Sequence, residues 1–245
     1  MAYKNDENLE FLSKCTNEEL EVIFNILVYD KDGETRFSEL LTVSDEYKKY
    51  GTNYKNYWKR IAEEYQYFGS NSIVSIFRGT GVEYNEILND VMDKLKISYD
   101  KEETIKERED KLILETFTKI FENLPEKEKI EMIKELEIDV TNFDKQMLVF
   151  AVRQFLRMGG FKAYQITLIV ANTISKLILG KGLTFGMNTI LVRSLSFFTG
   201  SIVFGLTTLW TVSDLAAPAF RVTVPATIMI SCLRRNLEER TNLNN

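Results

Sequence analysis

Apolar positions recur at helical spacing through the first 136 residues. Thr16-Asn17-Glu18-Glu19 has the Thr and Glu of a capping box. Leu20, Val22, Ile23, Ile26 and Leu27 follow it as one helical stripe. Asp30-Lys31-Asp32-Gly33 ends that helix. A second helix is predicted from Tyr54 to Phe68, with Gly69 as its stop. Its stripe of Tyr54, Tyr57, Trp58, Ile61, Ala62, Tyr65 and Phe68 reads as a core face rather than a binding face. A third helix spans Tyr84 to Leu95 on Ile87, Leu88, Val91 and Leu95. Residues 100–110 are a charge run, read as a solvated linker or the exposed start of a helix. Two amphipathic helices, Leu112 to Leu124 and Glu126 to Leu136, complete this region. Pro125 and the acids Glu126 and Glu128 suit the start of the latter.

The pattern then changes. Residues 163–175 are thirteen uncharged positions, too few to span a bilayer unaided. Residues 194–213 give twenty, about 30 Å as a helix. After Asp214, the stretch Leu215 to Leu233 carries a single charge, Arg221, and Arg234-Arg235 closes it. A turn at Asp214 would form a helical hairpin with Arg193, Arg234 and Arg235 together at one end, as the positive-inside tendency requires. Asp214 and Arg221, two turns apart on one face, are the expected structural polar pair, since an unpaired charge there is costly. Phe197, Phe198, Phe204 and Trp210, with the three arginines, are the candidate contacts to a membrane or a partner. The competing reading buries this stretch as a central helix of a bundle. The first arm's many Ser and Thr and a mean hydropathy of −0.17 favour that alternative.

The expected fold is all-α: an acidic N-terminal helical domain, then an apolar, basic C-terminal helical region with the candidate hairpin. The divisions are 1–136, a connecting helix over 137–160, the apolar region 161–235 and a polar tail 236–245. Charge supports this division. Residues 151–245 hold ten Lys and Arg against three Asp and Glu, net +7, whereas residues 1–150 hold 21 against 33, net −12. Such a basic region fits an anionic membrane, an acidic protein or the chain's own acidic half. Its bases are scattered singly, so nucleic acid is not an expected partner.

The chain has no histidine, which removes Ser-His-Asp and Cys-His catalysis and histidine metal sites. No catalytic residue, cofactor site or metal site is assigned. Counting back from Gly33 as an EF-hand glycine puts Val28 at the first ligand position, so Asp30 to Gly33 reads as a turn. Arg78-Gly79-Thr80-Gly81 lacks the strand and third glycine of a dinucleotide loop. Gly180-Lys181 lacks the first glycine of a phosphate loop, with Ser175 in its place. Cys15 and Cys232 form no CxxC and read as small hydrophobes in a reducing cytoplasm. The first residues lack the apolar core of a signal peptide.

Several stretches resemble the bacterial YaaW family. They are Ala2 to Asp6, Asp30 to Gly33, Phe77-Arg78-Gly79 with Gly81-Val82, Asp90 to Leu95, Gly159-Gly160-Phe161, Leu209-Trp210-Thr211 and Ala217 to Ala226. The resemblance implies no activity and supplies no catalytic residues. Through a grouping with ubiquinol–cytochrome c chaperone-like proteins it implies a chaperone-like part in assembling a membrane complex. The expectation is therefore a non-catalytic interaction or assembly protein. It would be cytoplasmic, associated with the inner membrane, and bind a protein partner not named by the sequence. The alternative is a soluble helical scaffold or chaperone-like factor with a buried central helix.

Overall fold

A computed structural model describes residues 3–30, 32–72, 81–138, 145–179 and 219–243. They form an all-α protein; among the described residues the extended pairing is a lone bridge between Tyr29 and Thr35. The helices are α1 Asn17–Val28, α2 Asp45–Tyr50, α3 Trp58–Ser72, α4 Tyr84–Leu95, α5 Ile105–Glu122, α6 Glu126–Glu135, α7 Lys145–Met158, α8 Gly160–Leu179 and α9 Phe220–Leu243. Short 3₁₀ turns at Glu10–Lys14 and Tyr54–Tyr57 precede α1 and α3.

Local chemistry sets several helix ends. The expected capping box forms at α1: Thr16 Oγ1 accepts from Glu19 N (3.3 Å), and Glu19 Oε2 accepts from Thr16 N (2.8 Å). A second box, Thr104 with Glu107, starts α5 seven residues before the apolar stripe begins. The residues read as a solvated charge run therefore include a helical turn, and Arg108 and Glu109 within it are buried. Asp30 to Gly33 is a turn in which Asp30 Oδ1 accepts from the amides of Asp32 and Glu34, both at 3.0 Å, and Gly33 takes φ +80°.

One hydrophobic core runs from Leu9 to Leu233, so the packing joins the regions that composition divides. Its axis is α9, which lies against α1, α3, α4, α5 and α8. The expected polar tail is the continuation of this helix, with Asn236 and Glu239 buried. The span read as a connecting helix holds α7 and the Gly159-Gly160 elbow. The aromatic stripe is core, as expected: Tyr54 and Tyr57 are buried, and Phe24 packs on Tyr47 and Tyr54 at centroid distances of 5.4 and 4.9 Å.

Gly69 does not stop α3, which continues to Ser72. It serves close approach instead: a Cβ there would lie 2.5 Å from Ile87 Cγ1 and 3.0 Å from Val82 Cγ2. Gly69→Val should therefore cost about 1–3 kcal/mol by overpacking the α3–α4 contact. Urea unfolding measures it, and an unchanged midpoint would contradict the close approach.

Glu64 on α3 pins the loop before α2. Its Oε1 accepts from Leu40 N (2.7 Å), and its Oε2 lies 3.4 Å from Arg60, which also donates to Leu40 O (3.1 Å). Burial pushes the Glu64 carboxyl up to about 7, with Glu39 and Glu63 adding to the rise and Leu40 N and Arg60 opposing it. A carboxyl raised in the fold favours folding while protonated. Its contribution is complete below the ordinary Glu range and is lost as pH rises through about 7. Glu64→Gln should flatten the fall of melting temperature between about pH 5 and 8. An identical slope in the variant would contradict this assignment.

Candidate functional site

Two features stand out from ordinary packing: a polar seam along α9, and an apolar face left open at the α7–α8 elbow.

The seam begins with hydroxyls at four-residue spacing, which places Thr223, Thr227 and Ser231 on one side of α9. Thr227 Oγ1 donates to Thr223 O (2.7 Å), so its single proton is used and the Tyr65 hydroxyl donates to it (2.8 Å). One turn on, the Tyr84 hydroxyl donates to Glu109 Oε1 (2.5 Å) and lies 3.1 Å from Ser231 Oγ. Arg234 Nε sits 3.0 Å from both Glu109 oxygens. Its Nη2 donates to Asn8 O (2.5 Å), and its guanidinium lies 4.3 Å from the Phe11 ring centroid. Asp6 completes the circuit: Oδ1 accepts from Asn8 N (2.9 Å) and Oδ2 from Tyr84 N (2.6 Å). The N-terminal segment, α4, α5 and α9 thus meet at one buried charge pair.

Burial raises the Glu109 carboxyl, against the pull of Arg234 and the Tyr84 hydrogen bond. Burial and then the Glu109 charge hold the Tyr84 phenol well above its ordinary value, so it stays a donor. Burial pulls Arg234 down, but Glu109 and Tyr84 outweigh it and the net shift is upward, so the guanidinium stays charged.

The seam continues along α9. Arg235 pairs with Asp110 and donates to Leu156 O (2.6 Å) at the end of α7. Glu238 pairs with Lys106 (2.8 Å), and Arg240 lies 3.1 Å from Glu19. Glu239 Oε2 accepts from Gly160 N (2.7 Å). That bond fixes the elbow, where Gly159 and Gly160 take φ +72° and +79°.

The elbow presents the open face. Leu148, Val152 and Leu156 of α7 face the core. At 100° per residue, Met147, Phe150, Gln154 and Met158 share an outward arc of about 80°. Phe150 and Met158 are 62% and 80% exposed, Met147 is half exposed, and Phe161, just past the elbow, is exposed as well. On one flank, Met147, Phe150, Ala151 and Phe155 line an apolar groove of about 520 Å³ that runs to Ile138. On the other, exposed Arg153 and Arg157 stand over a charged groove. Exposed large apolar side chains also occur at Phe37, Leu40 and Val43; the groove behind Leu40 and Val43 is acidic, with Asp45, Glu46, Glu63 and Glu64.

Of the residues expected to contact a membrane or partner, Arg235 is buried and Arg234 half-buried, and the structure pairs them with Asp110 and Glu109 of α5. The residues expected as the hairpin's second arm, from Phe220 onward, are the buried central helix. Arg221 is exposed in its first turn. Its expected partner Asp214 lies outside the described residues, as do Arg193, Phe197, Phe198, Phe204 and Trp210. Among the described residues, no helix is long and apolar enough to cross a membrane. Sequence reasoning missed Glu109, because it sits in a charge run. It also missed Tyr84 as a polar anchor, because it looks like one more core aromatic. The usable signal was the second Thr-x-x-Glu box, which makes residues 105–110 helical and brings Glu109 onto the face of Leu112, Ile113 and Thr116.

The geometry defines a class: an all-helical protein closed by pairing its N-terminal segment with its last helix. A family model for a domain of unknown function, DUF3944, matches residues 3–37, the segment that α9 holds. A UPF0174 protein of Helicobacter pylori strain J99 is 45% identical over 240 residues, covering 98% of this chain and 95% of its own. Another from Helicobacter pylori strain 26695 is 35% identical over 212 residues, 83% of this chain and all of its own. The UPF0174 protein YaaW of Escherichia coli K12 is 29% identical, with 95% of each chain covered. The chain belongs to the UPF0174 family. No solved structure matches it.

Arg234→Met should cost about 3–5 kcal/mol, because Glu109 is left buried and uncompensated. Adding Glu109→Gln should recover much of that loss. A double-mutant cycle on urea unfolding measures the coupling, and additive effects of the two substitutions would contradict a shared buried pair.

Proposed function

We propose that this protein is a non-catalytic interaction or assembly protein acting at the cytoplasmic face of the inner membrane, with the elbow face as its contact surface. The exposed apolar side chains Met147, Phe150 and Met158 on one arc of α7, with Phe161 in the first turn of α8, carry this reading. Large apolar side chains exposed together on one helix face mark a site of association. The polar groups best suited to chemistry support it too. Glu109, Tyr84 and Arg234 are committed to holding the core together. Burial pushes the Cys15 thiol up to about 12, which suits packing rather than nucleophilic attack. The implied chaperone-like grouping of the YaaW relatives points the same way.

A second reading, a soluble helical scaffold or chaperone-like factor, has its own support in the burial of α9 as the central helix. Fractionation of cells separates the two. The first reading expects the chain in the membrane fraction and its release when Phe150→Asp and Met158→Asp are combined. Recovery of the unmodified chain wholly in the supernatant would contradict it and favour the scaffold.

A further inference from the structure

We infer that the occupant of the elbow face is the surface of an anionic lipid bilayer, which rests on the reading of that face as the contact surface. Charge complementarity selects this occupant. Lys145 to Leu179, the whole of α7 and α8, carries five bases and no acid, although the chain as a whole is acidic. Lys145 and Lys162 are turned to pairing, with Glu122 and Glu137. Arg153 and Arg157 are exposed on α7 and flank the apolar arc. The result is an amphipathic helix whose apolar side chains point outward and whose cations stand beside them at the height of lipid headgroups. Its length suits lying in the interface, since α7 has fourteen residues, about 21 Å. That is too short to span the core of a bilayer.

The grooves beside α7 fit the same placement. The charged groove also holds Glu103, Glu107, Asp110 and Glu115; Glu103 pairs with Lys111, Asp110 with Arg235, and Glu107 caps α5, while Glu107 and Glu115 are exposed. Arg153 and Arg157 stand on the α7 side of this groove, next to the apolar arc. The acidic groove beside Leu40 and Val43 has the opposite charge and would be repelled by the same lipids. The elbow bonds matter here because they are backbone constraints. Glu239 holds Gly160, and Arg235 holds Leu156 O, so α7 is presented as a rigid helix whose apolar arc exists before binding.

The test uses the purified full-length chain with vesicles of phosphatidylcholine alone or mixed with phosphatidylglycerol, read by flotation. The expected result is binding to the mixed vesicles that weakens as salt screens it, and little binding to phosphatidylcholine. Arg153→Glu with Arg157→Glu should weaken binding by more than about tenfold. Phe150→Asp with Met158→Asp should abolish it. All four positions are solvent-facing, so circular dichroism and melting temperature should match the parent chain. Equal binding to both lipids, binding unmoved by the substitutions, or no binding would each overturn the inference. If vesicle binding fails while the chain still fractionates with membranes through Phe150 and Met158, the contact surface stands and its occupant is a protein. If both fail, the surface itself falls.

Discussion

Arg234 brings a half-buried charge against the buried Glu109, and the structure is arranged so that neither is unpaired. A buried ion pair is weak evidence for net stability, because desolvation offsets much of the attraction. What it does supply is specificity. Glu109 on α5, Tyr84 on α4 and the Asn8 carbonyl satisfy one another's polar groups around Arg234, and the Phe11 ring packs on the guanidinium. Elements separated by more than a hundred residues thereby close on one point.

The same logic explains the charge split. Of the three partners that suit the basic C-terminal region, its own acidic half accounts for much of it. Arg234, Arg235, Arg240 and Lys162 pair with Glu109, Asp110, Glu19 and Glu137. The acidic and basic regions are two sides of one interface, folded around α9. Arg153 and Arg157 are left at the surface, beside the apolar arc of α7. This is where the proposed membrane contact gets its charge, and the α9 residues Arg235 and Glu239 hold that helix in place.

Much of the fold was legible in the sequence. The all-helical class, the α1 capping box, the turn at Asp30 to Gly33 and the aromatic core face each rest on local rules, and local rules hold where a segment's own residues supply its partners. The rest depended on distant partners. Arg234 and Arg235 closing an apolar run read as a positive flank, because the sequence does not show that Glu109 and Asp110 wait opposite them. Gly69 read as a helix stop, because its role is set by Ile87 on another helix. The elbow face was hidden for a related reason: Leu148, Val152 and Leu156 look no more apolar than Met147, Phe150 and Met158, and only packing decides which set is covered.

Packing around Arg234 makes the N-terminal segment and α9 one cooperative unit, in spite of the composition change between them. Native-state hydrogen exchange of the full-length chain across a urea series tests it most directly. The expected result is that the slowest amides of α1, α5 and α9 open with the same free energy and converge on one isotherm. Separate isotherms, with α1 to α5 staying protected after α9 has opened, would contradict it and favour the division at residue 136.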